Sequence, residues 1–256
     1  MSPSPFVLLP PSEGKTVGGS ARRTPDRFAS TLVASRTSLA RALERSLRGA
    51  SRAYLENLVN ARGDRALVAR AALERYLDGT APHVVAWRRY DGVVWRYLEP
   101  ANLSSAQRAR VLVPSALYGL TCASDVIADY RLKMSVRLKG IGAVAPFWRD
   151  ALTETVVDHV GRGEVVDLLP REHAAAFDYD ALGAATTLVR VNFVDHRRAR
   201  AVGHAAKAAK GVVARAVLVG GVASLENFEW EGWRASASDD GFVVVAPAPP
   251  ATSRRQ

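Results

Sequence analysis

The sequence has one cysteine, Cys122, two methionines and only five lysines in 256 residues. A single thiol excludes an internal disulfide and fits a reducing compartment, so a cytoplasmic protein is expected. No apolar run approaches the roughly 18–20 residues of a membrane span. The opening Met-Ser-Pro-Ser-Pro lacks the basic and apolar stretches of a secretion signal. The five histidines, His83, His159, His173, His196 and His204, are scattered. Adjacent pairs such as Glu172-His173 do not place two ligands on one face, so no metal site and no cofactor are expected. No Ser–His–Asp or Cys–His arrangement is readable.

A phosphate loop is also missing. "LLPPSEGKT" (8–16) ends in Gly-Lys-Thr, but Leu9 stands where the pattern needs a glycine. Pro10 and Pro11 have no backbone N–H to offer a phosphate. The stretch reads as a short strand running into a stiff turn that presents Ser12, Glu13 and Lys15.

What is present in excess is arginine: 30 residues, giving a net charge of +10. That balance invites a polyanion, although an alanine-, valine- and arginine-rich chain also reflects a GC-rich genome. The lysines, Lys15, Lys133, Lys139, Lys207 and Lys210, run against that bias. A lysine kept where arginine would serve marks a need for a compact, rotatable ammonium.

Apolar spacing predicts helices through 24–77, punctuated at Gly49 and at Gly63-Asp64. Alternation around Asp91-Gly92 predicts a hairpin over 84–98. Strands are expected at 6–9, 164–169, 186–195 and 241–247, a buried strand leaving into a loop over 110–120, and helices at 147–160 and 197–217. The fold class is therefore α/β (mixed α+β), as one domain over 1–246 with a Pro-rich disordered tail at 247–256. In the last helix Ala199, Val202, Ala206, Ala209, Val213 and Ala216 form a small-residue stripe. Arg200, His204 and Lys207 run beside it, with Arg197, Lys210 and Arg215 nearby, and no acidic residue lies between 196 and 225. Gly140-Ile141-Gly142 has the core of a helix–hairpin–helix, which Pro146 disfavours as its second helix. The segment around Arg62-Gly63-Asp64 is the other candidate for a hairpin between helices.

Seven stretches occur in a telling order: "LLPPSEGKT", "PSALYGL", "DYRLKMSVRL", "FWRDAL", "DLLPREHAAAF", "KAAKGVVAR" and "NFEWEGW". Together they resemble the YaaA family of peroxide-stress proteins over about residues 6–246. The resemblance implies a central sheet with flanking helices, a positively charged cleft and a helix–hairpin–helix-like element. It also implies DNA binding and a cytoplasmic role limiting iron-dependent peroxide damage. Lys15 stands at the lysine of the family's N-terminal turn, and Tyr118-Gly119 at its Leu-Tyr-Gly. Tyr130-Arg131-Leu132 stand at its Tyr-Arg-Leu-Glu-Met-Gly, Phe147-Trp148 at its Phe-Trp, and Glu172 at the glutamate of its Ala-Ser-x-Glu-Tyr. Lys207, Lys210, Gly211 and Arg215 match its late basic helix. The chain departs from the pattern at Lys133 (a charge reversal), Ser135, Pro170 and His173.

Two functions are therefore expected. The favoured one is a DNA-binding protein of the peroxide-stress response. It would contact double-stranded DNA through Arg200, Lys207, Lys210, Arg215, Arg62 and Arg65. The alternative is an enzyme acting on a small anionic substrate, with Lys15, Glu13, Tyr118, Arg131 and Glu172 as its acid–base and anion-binding groups. Convergence of Lys15 with Lys207 in one pocket favours the enzyme. An open groove shared by Lys207, Lys210, Arg62 and Arg65 favours duplex DNA.

Overall fold

The computed structural model describes residues 4–20, 26–197 and 203–248. In chain order its strands are β1 (Phe6–Leu8), β2 (His83–Val85), β3 (Val111–Ser115), β4 (Gly119–Cys122), β5 (Val126–Ala128), β6 (Arg137–Leu138), β7 (Gly142–Ala143), β8 (Glu164–Asp167), β9 (Thr187–Val194), β10 (Glu229–Trp230), β11 (Trp233–Ser238) and β12 (Gly241–Val245). Its helices are α1 (Val33–Leu47), α2 (Arg52–Val59), α3 (Asp64–Leu77), α4 (Ala86–Arg89), α5 (Val93–Leu98), α6 (Ser105–Ala109), α7 (Val144–Val160), α8 (Arg171–Ala174), α9 (Tyr179–Ala185) and α10 (Gly203–Gly220).

Eight strands form one mixed sheet in the order β10-β11-β12-β9-β8-β1-β3-β4. The five inner strands are parallel, and antiparallel strands finish both edges. The inner strands β1, β3 and β8 are apolar on both faces, with Val7, Leu8, Val111, Leu112, Val165 and Val166 all fully buried. That is the pattern of a parallel sheet covered on both sides. From β1 the chain crosses to β3 on one side, whereas from β8 it crosses to β9 on the other. The β1–β8 boundary is thus a topological switch point, where the loops leaving the carboxyl ends part and open a crevice.

The helical region 24–77 divides where its glycines stand. Asn60, in a left-handed conformation (φ 52°), closes α2, and Gly63 (φ 56°) opens α3. Two of the quoted stretches, Tyr118-Gly119 and Phe147-Trp148, have a shared packing cause. A Cβ on Gly119 would lie 2.7 Å from the Trp148 ring. The indole fills that space and donates from Nε1 to Ala116 O at 3.0 Å.

One local expectation is corrected. Residues 84–98 form no hairpin, because Gly92 is extended (φ −132°) rather than in the positive-φ geometry of a tight two-residue turn. The segment pairs with the N-terminal turn instead: Lys15 and Tyr90 form a β-bridge, and Asp91 N–H donates to Gly14 O at 3.0 Å. Gly140-Ile141-Gly142 lies in the hairpin joining β6 to β7, so it is not a helical hairpin. The hairpin between helices is instead α2–α3. The buried strand expected at the start of 110–120 is β3, and the loop it leaves into, Ala116–Tyr118, returns as the antiparallel strand β4. Pro146 sits in the first turn of α7, where its missing N–H costs nothing. Arg200, Ala199 and Val202 lie outside the described residues, as does the tail from 249 onward.

Candidate functional site

The crevice at the switch point opens into a cavity of about 600 Å³. The turn after β1 supplies Ser12, Glu13, Lys15 and Val17. The α2–α3 corner supplies Asn60, Asp64, Arg65 and Val68. The extended run 129–135 and the segment after β8, Glu172 and His173, complete the wall. Four stretches distant in sequence therefore meet at one place.

Lys15 is the centre of this wall. Its Nζ donates to Ser12 O at 2.6 Å and stands 4.6 Å from the centre of the Tyr130 ring and 5.6 Å from that of Tyr90. It makes no ion pair with any described residue. Burial and the Arg131 guanidinium lower its pKa from 10.5 to about 7, against the opposing pull of Asp129 and Glu13. Its main chain is held by the bridge to Tyr90 and by Arg131, whose Nη2 donates to Lys15 O at 3.0 Å. Arg131 also pairs with the buried carboxylate of Asp129 at 2.8 Å, so it acts here as a brace. Beneath the loop, fully buried Arg89 donates to the carbonyls of Thr16, Pro82 and Ile127.

The tyrosines form a layer under Lys15. Tyr130 Oη lies 2.7 Å from Ser115 Oγ and 3.3 Å from Tyr90 Oη, and burial raises both phenol pKa values. Tyr118 stacks edge-on against Tyr130 with ring centres 5.8 Å apart, but its hydroxyl accepts from Ala128 N–H at 2.9 Å. It faces a second, smaller hollow with Arg36 and Tyr76, away from Lys15.

Glu172 accepts from Ser135 N–H at 3.2 Å across the cavity wall. Next to it, His173 has a buried Nδ1 with no hydrogen-bond partner among the described residues. Burial, with the positive charges of Lys15 and Lys210, lowers its pKa to about 4 despite Glu172. The imidazole is neutral at pH 7.

The expected site residues thus divide. Glu13, Lys15, Arg131, Glu172 and Arg65 come together around the cavity. Lys210 approaches it from below: its Nζ donates to Leu168 O and stands 4.9 Å from the Phe193 ring centre. Lys207 is exposed on α10 and is not part of the cavity wall. Arg215 pairs with Glu99, and Arg62 is exposed at the α2–α3 corner. Lys207 does not join Lys15 on the wall of this cavity. Asp129, Tyr130 and His173 were not expected as site groups. For His173 the signals were its place beside Glu172 and its departure from the resembled pattern.

The family described as peroxide stress protein YaaA matches residues 6–239, and the chain belongs to the YaaA family. It is 34% identical to a UPF0246 protein of Streptomyces coelicolor over 254 residues, which is 95% of this chain and 93% of that relative. A UPF0246 protein of Ruegeria is 34% identical over 151 residues, covering 55% of this chain and 60% of its own length. One from Bacteroides thetaiotaomicron is 27% identical over 180 residues, covering 64% and 70%. The YaaA motifs therefore have a spatial meaning in this chain: the N-terminal turn, Tyr-Arg-Leu and the Glu172 segment are three walls of one cavity. The family's Leu-Tyr-Gly and Phe-Trp are packing partners behind it.

Other features bear on chemistry. The thiol of Cys122 is fully buried and its pKa is pushed up to about 12 by burial and Asp125, so almost no thiolate forms at pH 7. Among the described residues no group of three or more His, Cys, Asp or Glu side chains could hold a metal ion. No described helix is long and apolar enough to cross a membrane.

Proposed function

We propose that this YaaA-family protein serves in peroxide stress by binding a small anionic molecule in the cavity at the β1–β8 switch point. Family membership supports the peroxide-stress role. One observation carries the ligand class. Lys15, Arg65 and Lys133 all line the cavity, and none makes an ion pair with a described residue. Glu13, Asp64 and Glu172 share the wall but pair with none of the three cations, which leaves their N–H groups open to an anion in the concavity. Phosphate and carboxylate groups suit them, since each can accept charge-assisted hydrogen bonds from an ammonium or a guanidinium.

Calorimetric titration with inorganic phosphate and with malonate tests this reading. One site should bind at low salt, and Arg65→Glu and Lys133→Glu should each weaken it by at least about tenfold. That factor corresponds to about 1.4 kcal/mol, within the range of one charge-assisted hydrogen bond. Absence of binding, or equal binding by wild type and both variants, would contradict it.

A second reading, duplex DNA binding, is favoured by a different observation. The α2–α3 corner carries Arg62 and Arg65, both exposed, at a sharp turn between helices beside the cavity mouth. In this reading Arg62→Ala/Arg65→Ala would reduce the slope of log affinity against log salt by roughly 0.9 per lost phosphate contact. Lys207→Ala/Lys210→Ala would have a smaller effect, because Lys210 is turned towards Leu168 O. No duplex binding at low salt would remove this reading and leave the small-anion reading intact.

A further inference from the structure

We propose that Lys15 is a carbonyl-capturing nucleophile, whose amine condenses with the aldehyde or keto group of a small anionic substrate to form an imine. The proposal rests on the cavity taking a small anion. It adds what that anion must carry.

Three structural features support it. First, Lys15 is unlike the structural cations around it. Arg89 is buried against three carbonyl oxygens and Arg131 is tied to Asp129. Lys15 Nζ has a single carbonyl acceptor, Ser12 O, and no carboxylate within ion-pair distance among the described residues. A half-buried lysine with an arginine at its side and no ion-pair partner is the arrangement that makes an amine nucleophilic at neutral pH. Second, donation to Ser12 O uses an N–H and leaves the lone pair of the neutral amine unengaged. The Tyr130 face supports the amine without competing for that pair. Third, Lys133 and Arg65 line the same wall and can hold the anionic end of the substrate while its carbonyl reaches Nζ. A cavity of about 600 Å³ suits a metabolite-sized molecule.

The step balances without a cofactor. The Nζ lone pair adds to the carbonyl carbon, and the π pair moves to oxygen. One N–H proton passes to the neutral imidazole of His173 on the same wall, which hands it to that oxygen to give the carbinolamine. The second N–H proton takes the same route, the protonated oxygen leaves as water, and the C=N bond forms. One amine and one carbonyl give one imine and one water, and nothing is oxidised or reduced.

The test uses the full chain at pH 7 with glyoxylate, an aldehyde bearing a carboxylate, and cyanoborohydride to trap the imine as N-carboxymethyl-lysine. Peptide mapping should find the modification at Lys15 at least about tenfold faster than at Lys133, Lys139 or Lys207. Malonate, which is anionic but has no aldehyde or ketone, should suppress it. Lys15→Arg should lack it, and His173→Gln should slow it at Lys15 alone. Modification spread over the exposed lysines, as in the urea-unfolded chain, would overturn the proposal. Calorimetry on the same samples separates the two claims. Malonate binding without a Lys15 adduct sinks the imine step and leaves the anion site standing, whereas no binding of either compound overturns both.

Discussion

Lys15→Met is expected to stabilise the protein by about 1–3 kcal/mol at pH 6 while removing its capture of carbonyl compounds. The wild-type ammonium is enclosed beside Arg131, and its pKa falls from 10.5 to about 7. A shift of that size corresponds to several kcal/mol at about 1.36 kcal/mol per unit. The observed gain is smaller, because the residue is only half-buried and methionine gives up the bond to Ser12 O. The sign follows from proton counting. Between pH 7 and pH 10.5 the unfolded lysine holds more protons than the folded one, so wild-type stability rises through that window. The advantage of methionine is therefore fully present below pH 7 and fades as pH approaches 10.5. Urea melts of both proteins at pH 6 and pH 10 check this. A variant less stable than wild type at pH 6, or an equal difference at both pH values, would contradict it. Gain of stability with loss of function is the signature of a strained functional group.

Gly211→Ala is expected to cost about 2–4 kcal/mol, although alanine is the better helix former by about 1 kcal/mol. In α10 the backbone of Gly211 lies directly on α5. A Cβ there would meet Val94 O at 2.3 Å, Tyr97 Cβ at 2.8 Å and Leu98 N at 2.9 Å. Two of these are backbone atoms that cannot rotate away, so α10 and α5 must separate. Lys210 is the preceding residue, and its bond to Leu168 O at the carboxyl end of β8 would loosen with the helix. The variant should thus lose both thermal stability and anion affinity. A thermal midpoint equal to or above wild type would show that the helices are not in this contact.

Much of this fold can be read from residue patterns, and the misreadings share a cause. The helices of 24–77 follow from apolar spacing and from Gly49 and Gly63, which are local signals. The hairpin expected around Asp91-Gly92 fails because Gly14 and Lys15, more than 70 residues earlier, compete for the same backbone groups. In the last helix, Lys207 is exposed as helical spacing suggests. Lys210, three residues on, instead reaches the sheet because its ammonium finds Leu168 O. The candidate site was half legible. Lys15 stood out as a lysine in an arginine-rich chain and as a motif residue. Its missing counter-ion is a tertiary property, set by where Asp129 and Arg131 pair. His173 was visible only as a departure from the YaaA pattern, since its significance lies in burial, and so was Lys133. In this structure that departure is a further cation on the cavity wall.

The central claim is that Lys15 is an amine without an ion-pair partner in an anion-binding cavity. Nuclear magnetic resonance of the lysine side chains, with only five lysines to assign, tests it most directly. One lysine signal, absent in Lys15→Met, should titrate near pH 7 and move to higher pKa when phosphate or malonate is added. If all five lysines titrate near their ordinary value of about 10.4, with no response to either anion, the account is wrong.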